Sequence, residues 1–534
     1  MTILSFLAFT LLVAGIAYWS TRSTDESSAD GYFLGGRSLT AGVIAGSLLL
    51  TNLSTEQIVG LNGQAFSEGI LVMAWETLAA IAMVCTALFL LPRYLKGGLT
   101  TVPQFLEDRY DTFTKTLTSA LFLSGYVVVL LPIVLYSGAL AINTMFDVPE
   151  NFGMDDTTAL WMTVWAVGIV GSIYAVFGGL KAVAVSDTIN AIGLLIGGLM
   201  IPLFGLAVIG DGEGIMKGLS ILVNENPSKF DSIGGPTNSV PFATIFTGMM
   251  LVQLFYWGTN QAIIQRALAA KNLKEGQKGL MLAAFIKILG PLIVVLPGII
   301  AFHIISDIGN QGAPSLIGWL FAAVLFGAIL SSFNSALNSS VTLFGVDIYK
   351  EYINKDATER QVVKAGKMFG IVLAFLSMFI APLIAKAPDG LFGYLQEVNG
   401  CYSIPIFTII VVGYLTKRVP AIAAKVAVLL GVILYSISQF ILKPNMIAAA
   451  KVGVTDPVQL SILDKTAYPH FLHVMAILFA ANVIIMLVIG KLAPRKEAYV
   501  LEYSEEVNIV PWKYVKGVGL AIVVAVILIY MYFS

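Results

Sequence analysis

Charged residues are scarce in this sequence. Asp, Glu, Lys and Arg make up 12% of its 534 residues, about half the share found in an ordinary soluble domain. Hydrophobic residues make up 57%, and the mean hydropathy is +0.86. A water-soluble globule of this size could not cover its surface with so few charges. The net charge of −1 also argues against a nucleic-acid-binding protein, because no basic excess is present to neutralise phosphates.

Cysteine and histidine are also rare. The two cysteines, Cys85 and Cys401, each lie inside an apolar run, which excludes a secreted fold held together by disulfides. Only three histidines are present, His303, His470 and His473, and this argues against a zinc or haem site. The sequence therefore predicts an all-α polytopic membrane protein.

Long apolar runs fill most of the chain. A helix needs about 20 mostly apolar residues to cross the hydrocarbon core of a bilayer, and the runs are too long and too uniformly apolar for the strands of a β-barrel. We predict fourteen spans, numbered in chain order: 2–21, 38–60, 70–95, 116–146, 159–180, 183–212, 241–271, 277–305, 315–349, 360–384, 390–416, 420–442, 468–490 and 512–533.

The basic residues predict an orientation for these spans. With the N-terminus outside, 24 of the 31 Lys and Arg fall in cytoplasmic segments, six fall in outer segments, and Lys287 alone lies in mid-membrane. Because Lys and Arg are enriched on the cytoplasmic side of membrane proteins, we expect both termini on the periplasmic or extracellular side of a bacterial inner (plasma) membrane.

Two spans are interrupted by polar residues. Span 2 contains a polar run, Thr51 to Gln57, with Asn52 within it and only Leu53 apolar. Span 7 contains the polar run Gln253 to Gln261, in which Gly258 permits a break and Asn260 and Gln261 are suited to satisfy the freed backbone groups. Unwound segments with free carbonyls are typical of transporter binding sites, although Thr55 and Glu56 are also compatible with the start of an outer helix. Because the two spans are five apart, we predict an inverted repeat of spans 2–6 and 7–11, with solute and coupling ion between the broken helices.

Isolated polar residues lie in other apolar spans. Glu76 in span 3 and Lys287 in span 8 predict either a buried ion pair or the lining of a polar cavity. Gln396 in span 11 adds an amide, and together with Gln57 these groups provide the donors and acceptors that a sugar requires. Ser331 and Ser332 in span 9 have hydroxyls that sodium accepts as ligands, although adjacent serines often only bond to their own helix.

Aromatic residues and one acidic residue complete the candidate set. Trp75, Tyr256 and Trp257 are suited to stack on a sugar ring, although Trp and Tyr are common in membrane spans without touching a ligand. Asp187 lies near the start of span 6, where it is either a helix cap or part of a sodium exit path.

These residues fall into motifs that resemble one family. The sequence resembles the sodium/solute symporter family, and in particular its sugar (SGLT-type) branch, which includes bacterial sodium/galactose and sodium/glucose symporters. The resemblance extends over the whole chain through motifs that occur in the same order: Tyr32-Phe-Leu-Gly-Gly-Arg-Ser38, Asn52-Leu-Ser-Thr-Glu-Gln57, Phe177-Gly-Gly-Leu180 with Asp187, Tyr256-Trp-Gly-Thr-Asn-Gln261 with Gln265-Arg266, and Asp347-Ile-Tyr-Lys-Glu351.

The resemblance implies a LeuT-like core of two inverted five-helix repeats. The implied divisions are a leading helix and loop (1–37), the first repeat (38–212), an outer loop (213–240), the second repeat (241–416) and three peripheral helices (417–534). It also implies residue roles. Sodium ligands would be the carbonyls of Leu50, Leu53 and Ala328 and the hydroxyls of Ser331 and Ser332; sugar-binding residues would be Gln57, Glu76, Lys287 and Gln396; Tyr256, with Trp257 beside it, would close the sugar site toward the cytoplasm.

The sequence departs from the sugar branch at several positions. Gln253 stands where Asn is common, Trp75 where Tyr is common, and Ala79 where Ser can occur. Asn334 stands where some members use a hydroxyl for a second sodium, so the number of sodium ions stays open, as does the identity of the sugar.

The expected partners are sodium, a small sugar and the lipid bilayer, with no nucleic acid and no obligate protein partner. The alternatives are a sodium symporter for sialic acid, an amino acid or a small anion, and, in a different class, a channel or a membrane enzyme. Glu76 argues against a carboxylated solute. The sequence contains no recognisable filter repeat for a channel and no nucleophile–base pair for an enzyme.

Overall fold

The computed structural model describes residues 2–22, 24–308, 315–386 and 391–534. Within these ranges the chain is almost entirely helical, and β pairing is limited to an isolated bridge between Leu39 and Ala270. Spans 1 to 6 correspond to Thr2–Thr21, Ala41–Asn52 with Thr55–Glu68, Ile70–Lys96, Thr112–Phe146, and Asp156–Ile209, which holds spans 5 and 6.

The remaining predicted spans also coincide with helices. Spans 7 to 14 correspond to Phe242–Gly258 with Gln261–Leu268, Leu273–Leu289 with Pro291–Val294 and Leu296–Ile308, Ser315–Thr342 with Leu343–Ile353, Glu359–Ile380, Leu391–Leu415, Ala421–Ile437 with Ser438–Leu442, Phe471–Leu492, and Val515–Tyr532. Shorter helices outside the spans include Ala29–Leu34, Val102–Arg109, Val148–Phe152, Ile215–Glu225, Lys443–Ala450 and Pro457–Thr466.

Length and composition single out most of these spans. In the described part of the chain, nine helical runs are long and apolar enough to cross a membrane, or eleven when the bent pairs of spans 7 and 8 each count as one. The others are spans 1, 2 and 9. Spans 1 and 2 include the shorter apolar helices Leu12–Thr21 and Ala41–Asn52, and part of span 9 lies outside the residues whose side chains are described.

Span 2 is broken, as predicted, but over a shorter segment. Its first helix ends at Asn52, Leu53 has non-helical dihedral angles, and the second helix begins at Thr55. The expected unwinding from Thr51 to Gln57 is therefore too long, because Thr55 starts a helix that continues to Glu68. This second helix is the outer helix that the sequence left open as an alternative.

Span 7 breaks where Gly258 and Asn260 predicted it. The two halves are bent by 47°, and the Asn260 side chain accepts a hydrogen bond from the backbone N–H of Ala262 at 3.0 Å, which caps the second half. Gln261 was expected to help satisfy the freed backbone of its own span. Its amide instead reaches a different segment, where it accepts from the Val102 N–H and donates to the Thr100 carbonyl.

Spans 5 and 6 form one long helical run, with a break at Gly179. This residue has φ 58° and ψ −175°, a combination that is essentially confined to glycine. The break frees carbonyls in the preceding turn, and the buried Tyr32 hydroxyl donates to those of Ala175 and Val176. Tyr32 therefore satisfies backbone groups that the broken helix leaves without partners.

Span 8 contains a break that the sequence analysis missed. Its halves, Leu273–Leu289 and Pro291–Ile304, are bent by 42°. The proline accounts for the bend because its ring cannot continue the helical hydrogen-bond pattern. Gly290 is required at this point because a Cβ there would clash with the Glu76 carboxylate. The Gly-Pro pair was the available sequence signal.

The ends of several spans meet on one face of the bundle. We call it the basic face because Arg37, Lys96 and Lys417 lie on it. There Arg37 donates to the carbonyls of Leu268 and Gly98. Residues 493–514, which connect spans 13 and 14, run across this face without a helix or strand in the described structure. The backbone N–H of Tyr499 donates to the Lys417 carbonyl, just after span 11, and that of Ser504 donates to the Lys96 carbonyl, at the end of span 3.

Candidate functional site

A cavity lies at the breaks of spans 2 and 7. It encloses about 620 Å³ of empty space, part of which is open to solvent. The cavity is lined by Asn52, Ser54, Glu56, Gln57, Trp75, Leu130, Val252, Gln253, Tyr256, Asn260, Leu395, Gln396, Asn399 and Tyr402. Polar side chains in the middle of a membrane protein thus converge on one place, as expected for a binding site.

Helix ends bring many of these side chains together. Asn52 is the last residue of one helix, and Glu56 and Gln57 lie in the first turn of the next. From span 7, Gln253 and Tyr256 lie on the last turns before the break. Because both breaks face the cavity, residues about 200 positions apart in sequence become neighbours.

Six of the sequence-predicted solute and gate residues line this cavity: Asn52, Gln57, Trp75, Gln253, Tyr256 and Gln396. The three others, Glu76, Lys287 and Trp257, are almost completely buried and lie behind the lining residues. They reach the cavity only through their neighbours.

Glu76 and Lys287 form a buried ion pair. The Lys287 ammonium is 2.6 Å from Oε2 and 2.8 Å from Oε1 of Glu76, and both side chains are at most 1% exposed. Gln57 donates from Nε2 to Glu76 Oε1 at 2.5 Å. The pair thus offsets the desolvation of both charges and orients the amide of Gln57, a cavity residue.

An aromatic wall lies beside the ion pair. The Lys287 ammonium is 5.7 Å from the centre of the Trp257 ring, within cation–π range. Trp257 donates from its indole N–H to Gln253 Oε1 at 3.1 Å, and Gln253 Nε2 donates to the Trp75 carbonyl at 2.9 Å. Gln253 is therefore held by both aromatic residues, and the longer side chain at this position already has partners within the protein.

A cluster of hydroxyls joins span 9 to the end of the first helix of span 2. Ser332 donates to the Thr51 carbonyl at 3.0 Å. The Thr51 hydroxyl is 3.4 Å from that of Ser331 and 2.9 Å from that of Ser335. Ala328, Leu50 and Leu53 are also buried at this junction. The arrangement places neutral oxygens next to the break in span 2, which is the ligand chemistry that a hard cation requires.

Asp187 lies next to this hydroxyl cluster. It is in the interior of the long run Asp156–Ile209, so it does not cap that helix. Its Oδ2 accepts a hydrogen bond from the Ser47 hydroxyl at 2.6 Å. The buried Arg266 donates to Ser47 at 3.2 Å and also to Ser335. A continuous polar path therefore connects Thr51 to Arg266 on the way to the basic face.

Asn334 faces away from this cluster. Its buried Oδ1 lies against span 5 near Gly171 and has no hydrogen-bond partner in the described structure. On the same helix, Ser335 is the residue that faces Thr51.

Several lining residues were not singled out from the sequence. Glu56 was weighed only as part of a helix start, Asn260 only as a backbone partner, and Asn399 and Tyr402 were not considered. Tyr402 donates to the Asn399 side chain at 2.8 Å. The available signal for this pair was the polar spacing in span 11, where Gln396, Asn399 and Tyr402 recur every three residues and thus share a helix face.

Comparisons of sequence and structure relate this chain to known proteins. The family model described as the sodium:solute symporter family matches residues 32–431. The chain belongs to the sodium:solute symporter family. An uncharacterised symporter of Escherichia coli (strain K12), YidK, is 46% identical over 99% of this chain and 90% of its own length. The sodium/glucose cotransporter of Vibrio parahaemolyticus is 32% identical over 80% of this chain and 83% of its own length.

A mammalian relative matches over a smaller share of its length. Sodium/myo-inositol cotransporter 2 of Oryctolagus cuniculus is 28% identical over 79% of this chain and 67% of its own length.

Solved structures show the same fold. A Na⁺-coupled sialic acid symporter in an outward-open state has a TM-score of 0.73 at 20% identity, covering 93% of this chain and 98% of the other. Mhp1, a nucleobase-cation-symport-1 family transporter, has a TM-score of 0.52 at 13% identity, covering 92% and 99%. The protein thus has the LeuT-like architecture of inverted five-helix repeats. It is a multi-pass membrane symporter, with sodium as its coupling ion, and is not an enzyme.

Proposed function

We propose that this symporter imports a small polyhydroxyl solute, such as the hexoses galactose and glucose, together with sodium. The observation that carries this proposal is the cavity at the two helix breaks, where amides and a carboxylate alternate with aromatic faces. Several donors and acceptors at different angles suit the hydroxyls of a sugar ring. The glucose and myo-inositol cotransporters among its relatives support the same solute class.

In this proposal, Gln57, Gln396, Gln253 and Asn52 bind solute hydroxyls, and Trp75 packs against the ring. Glu76 and Lys287 orient Gln57 and become solute ligands when the cavity widens. A purely structural ion pair would have a different effect: a variant that lacks both charges would then transport normally.

Sodium is assigned to the junction of spans 2 and 9. Its ligands are the carbonyls of Leu50, Leu53 and Ala328 and the hydroxyls of Ser331 and Ser332. The contacts of both serines with Thr51 support this assignment because they place the hydroxyls beside the broken helix. Sodium bound there would stabilise the break and thereby favour the state that accepts solute.

The release path is assigned to the cytoplasmic end of the cavity. Tyr256 forms the inner gate, with the Trp257 ring 5.2 Å away in an edge-on contact. Asp187 lies on the exit path of sodium, since it is hydrogen-bonded to Ser47 beside the hydroxyl cluster. If a second sodium binds, Ser335 is better placed than Asn334 to contribute an oxygen.

The proposed location is a bacterial inner membrane, with both termini on its outer side. The first repeat comprises residues 38–212 and the second residues 241–416, with three peripheral helices after residue 417. The bacterial relatives and the excess of Lys and Arg in the segments predicted to be cytoplasmic support this topology.

Uptake into proteoliposomes tests the proposal. The full chain is reconstituted, an inward sodium gradient is imposed, and a panel of labelled galactose, glucose, myo-inositol, sialic acid and a neutral amino acid is added. We expect sodium-dependent accumulation of at least one neutral polyol and no accumulation in potassium alone. Uptake of sialic acid, an amino acid or a small anion without any polyol would favour the alternative, a non-sugar symporter of the same family.

A further inference from the structure

One carboxylate in the cavity has no cation beside it in the described part of the chain. Glu56 lies in the first turn of Thr55–Glu68, lines the cavity and is 7% exposed. Its Oε2 has no hydrogen-bond partner among the described residues, and its interactions are with Ser54 and its own backbone. A buried carboxylate oxygen without a partner is rare in folded proteins, so it indicates a group that the bound solute satisfies.

Two neighbouring acceptors are in the same situation. Oδ1 of Asn52 and Oε1 of Gln57 are also buried without a partner in the described part of the chain, and both residues line the cavity. Three acceptors on the two sides of one helix break thus await donors. Solute hydroxyls can supply such donors, whereas a solute carboxylate can only accept.

The cations nearby are already engaged. No Lys, Arg or His is among the cavity-lining residues in the described structure. Lys287 is bound to Glu76, and Arg266 donates to Ser47, Ser335 and the Ala262 carbonyl. Because the Glu76–Lys287 pair is neutral as a unit, Glu56 is the acidic lining residue of the described structure that has no cation beside it.

We propose that Glu56 is a specificity-determining residue of this symporter. Its carboxylate accepts hydrogen bonds from solute hydroxyls and repels solutes that carry a carboxylate, so uronic and sialic acids are rejected while neutral polyols are bound. The inference rests on the proposed function, since it assigns a role within the same solute cavity. Like-charge contacts across a desolvated interface suppress wrong partners strongly.

If Glu56 only stabilised its helix, its replacement would have a different effect. A carboxylate in the first turn of a helix interacts favourably with the helix dipole. If that were the whole role of Glu56, its replacement by Gln would lower the thermal stability and leave the order of solute affinities unchanged.

The experiment compares solutes of one ring type and different charge. Purified full-length protein in proteoliposomes takes up labelled glucose with sodium present, in competition with unlabelled glucose, glucosamine or glucuronate. The variants are Glu56→Gln, which keeps an acceptor without the charge, and Glu56→Asp, which keeps the charge. Glu502→Gln is the matched control. It changes the net charge by the same amount as Glu56→Gln, but at an exposed position far from the cavity. If the assay shows another neutral polyol to be the solute, its own acidic derivative replaces glucuronate.

For the wild type, we expect glucuronate to compete at least about tenfold more weakly than glucose. In Glu56→Gln this difference should fall to about threefold or less while glucose uptake persists; Glu56→Asp and Glu502→Gln should keep it. Equal discrimination in the wild type and Glu56→Gln would overturn the inference alone. If Glu56→Gln does not fold, equal competition by glucose and glucuronate in the wild type and Glu56→Asp would overturn it. Absence of any neutral polyol uptake by the wild type would overturn the proposed function, and this inference with it.

Discussion

The two serines of span 9 occupy different positions relative to the same threonine. Ser332 donates to the carbonyl of Thr51, whereas Ser331 faces its hydroxyl. Both interactions tie span 9 to the broken end of a span 2 helix, so a sodium ion at this junction would bridge the two repeats. Contacts between individual side chains would therefore couple ion binding to the geometry of the solute cavity.

We expect the double variant Ser331→Ala/Ser332→Ala to bind sodium about 1–3 kcal/mol more weakly, because a desolvated ion is left short of oxygens. This corresponds to roughly a 5- to 150-fold higher sodium requirement, measured as the sodium concentration for half-maximal uptake. Ser340→Ala is the matched control, since Ser340 is buried on the same helical run and donates only to the Ala336 carbonyl. An unchanged sodium requirement in the double variant would remove this site.

The ion pair between Glu76 and Lys287 yields a second prediction at this scale. Removing one partner leaves an uncompensated buried charge, which costs about 3–5 kcal/mol, whereas removing both is often nearly neutral. We expect Lys287→Met to lower the unfolding temperature in detergent much more than Glu76→Gln/Lys287→Met does.

Uptake distinguishes the two interpretations of the pair. If Glu76 and Lys287 contact the solute, the double variant regains stability without regaining solute affinity. Full transport by a stable double variant would show that the pair is only structural.

At the scale of helices, breaks determine where the polar groups meet. The breaks after Asn52 and Gly258 were predictable because polar residues interrupt apolar runs there. The break at Gly290 was missed although the Gly-Pro pair signalled it; what the sequence does not show is the tertiary contact that requires glycine there, because the Glu76 carboxylate occupies the place of a side chain. The length of unwinding in span 2 was overestimated, since polarity alone does not distinguish an unwound segment from the start of a helix.

The break at Gly179 carries a testable prediction. Alanine there would adopt a conformation that costs about 1–3 kcal/mol outside glycine, and its Cβ would lie 3.1 Å from Tyr32. We expect Gly179→Ala to lower the free energy of unfolding in detergent by that amount, which is measured as a lower unfolding temperature. Gly197→Ala is the control, because this position lies in the same helical run and has open space around it; it should be neutral or slightly stabilising. Equal effects of the two substitutions would contradict this role of the break.

For the whole molecule, the sequence predicted the family, the fourteen helical segments and the residues of the broken spans. The family followed from the resemblance of the motifs, and the spans and their breaks were predictable because hydrocarbon tolerates few polar groups, so each exception in an apolar run carries information. It did not reveal that Glu76 and Lys287 lie behind the cavity wall, that Trp257 is fully buried, or that Glu56 faces the cavity. These distinctions depend on the rotation of each helix about its axis, which tertiary packing determines.

The orientation in the membrane remains a prediction with a direct test. In a variant with Cys85 and Cys401 replaced by Ala, we introduce Lys217→Cys or Lys496→Cys, both at exposed positions. Because Lys and Arg favour the cytoplasmic side, an impermeant maleimide should label Lys217→Cys in cells whose inner membrane is intact and Lys496→Cys only after that membrane is opened. The reverse pattern would invert the proposed topology.

The distance along the chain between the partners of the buried ion pair has a consequence for biosynthesis. Glu76 and Lys287 are 211 residues apart, and chains are synthesised at about 5–20 residues per second. Glu76 thus emerges from the ribosome about 10–40 s before its cation exists. A lone charge at the bilayer centre costs about 2.5–3.5 kcal/mol on insertion scales, while Gln57, only 19 residues earlier, is already available as a donor. During this interval the nascent span 3 depends on that amide and on the insertion machinery to stay in the membrane.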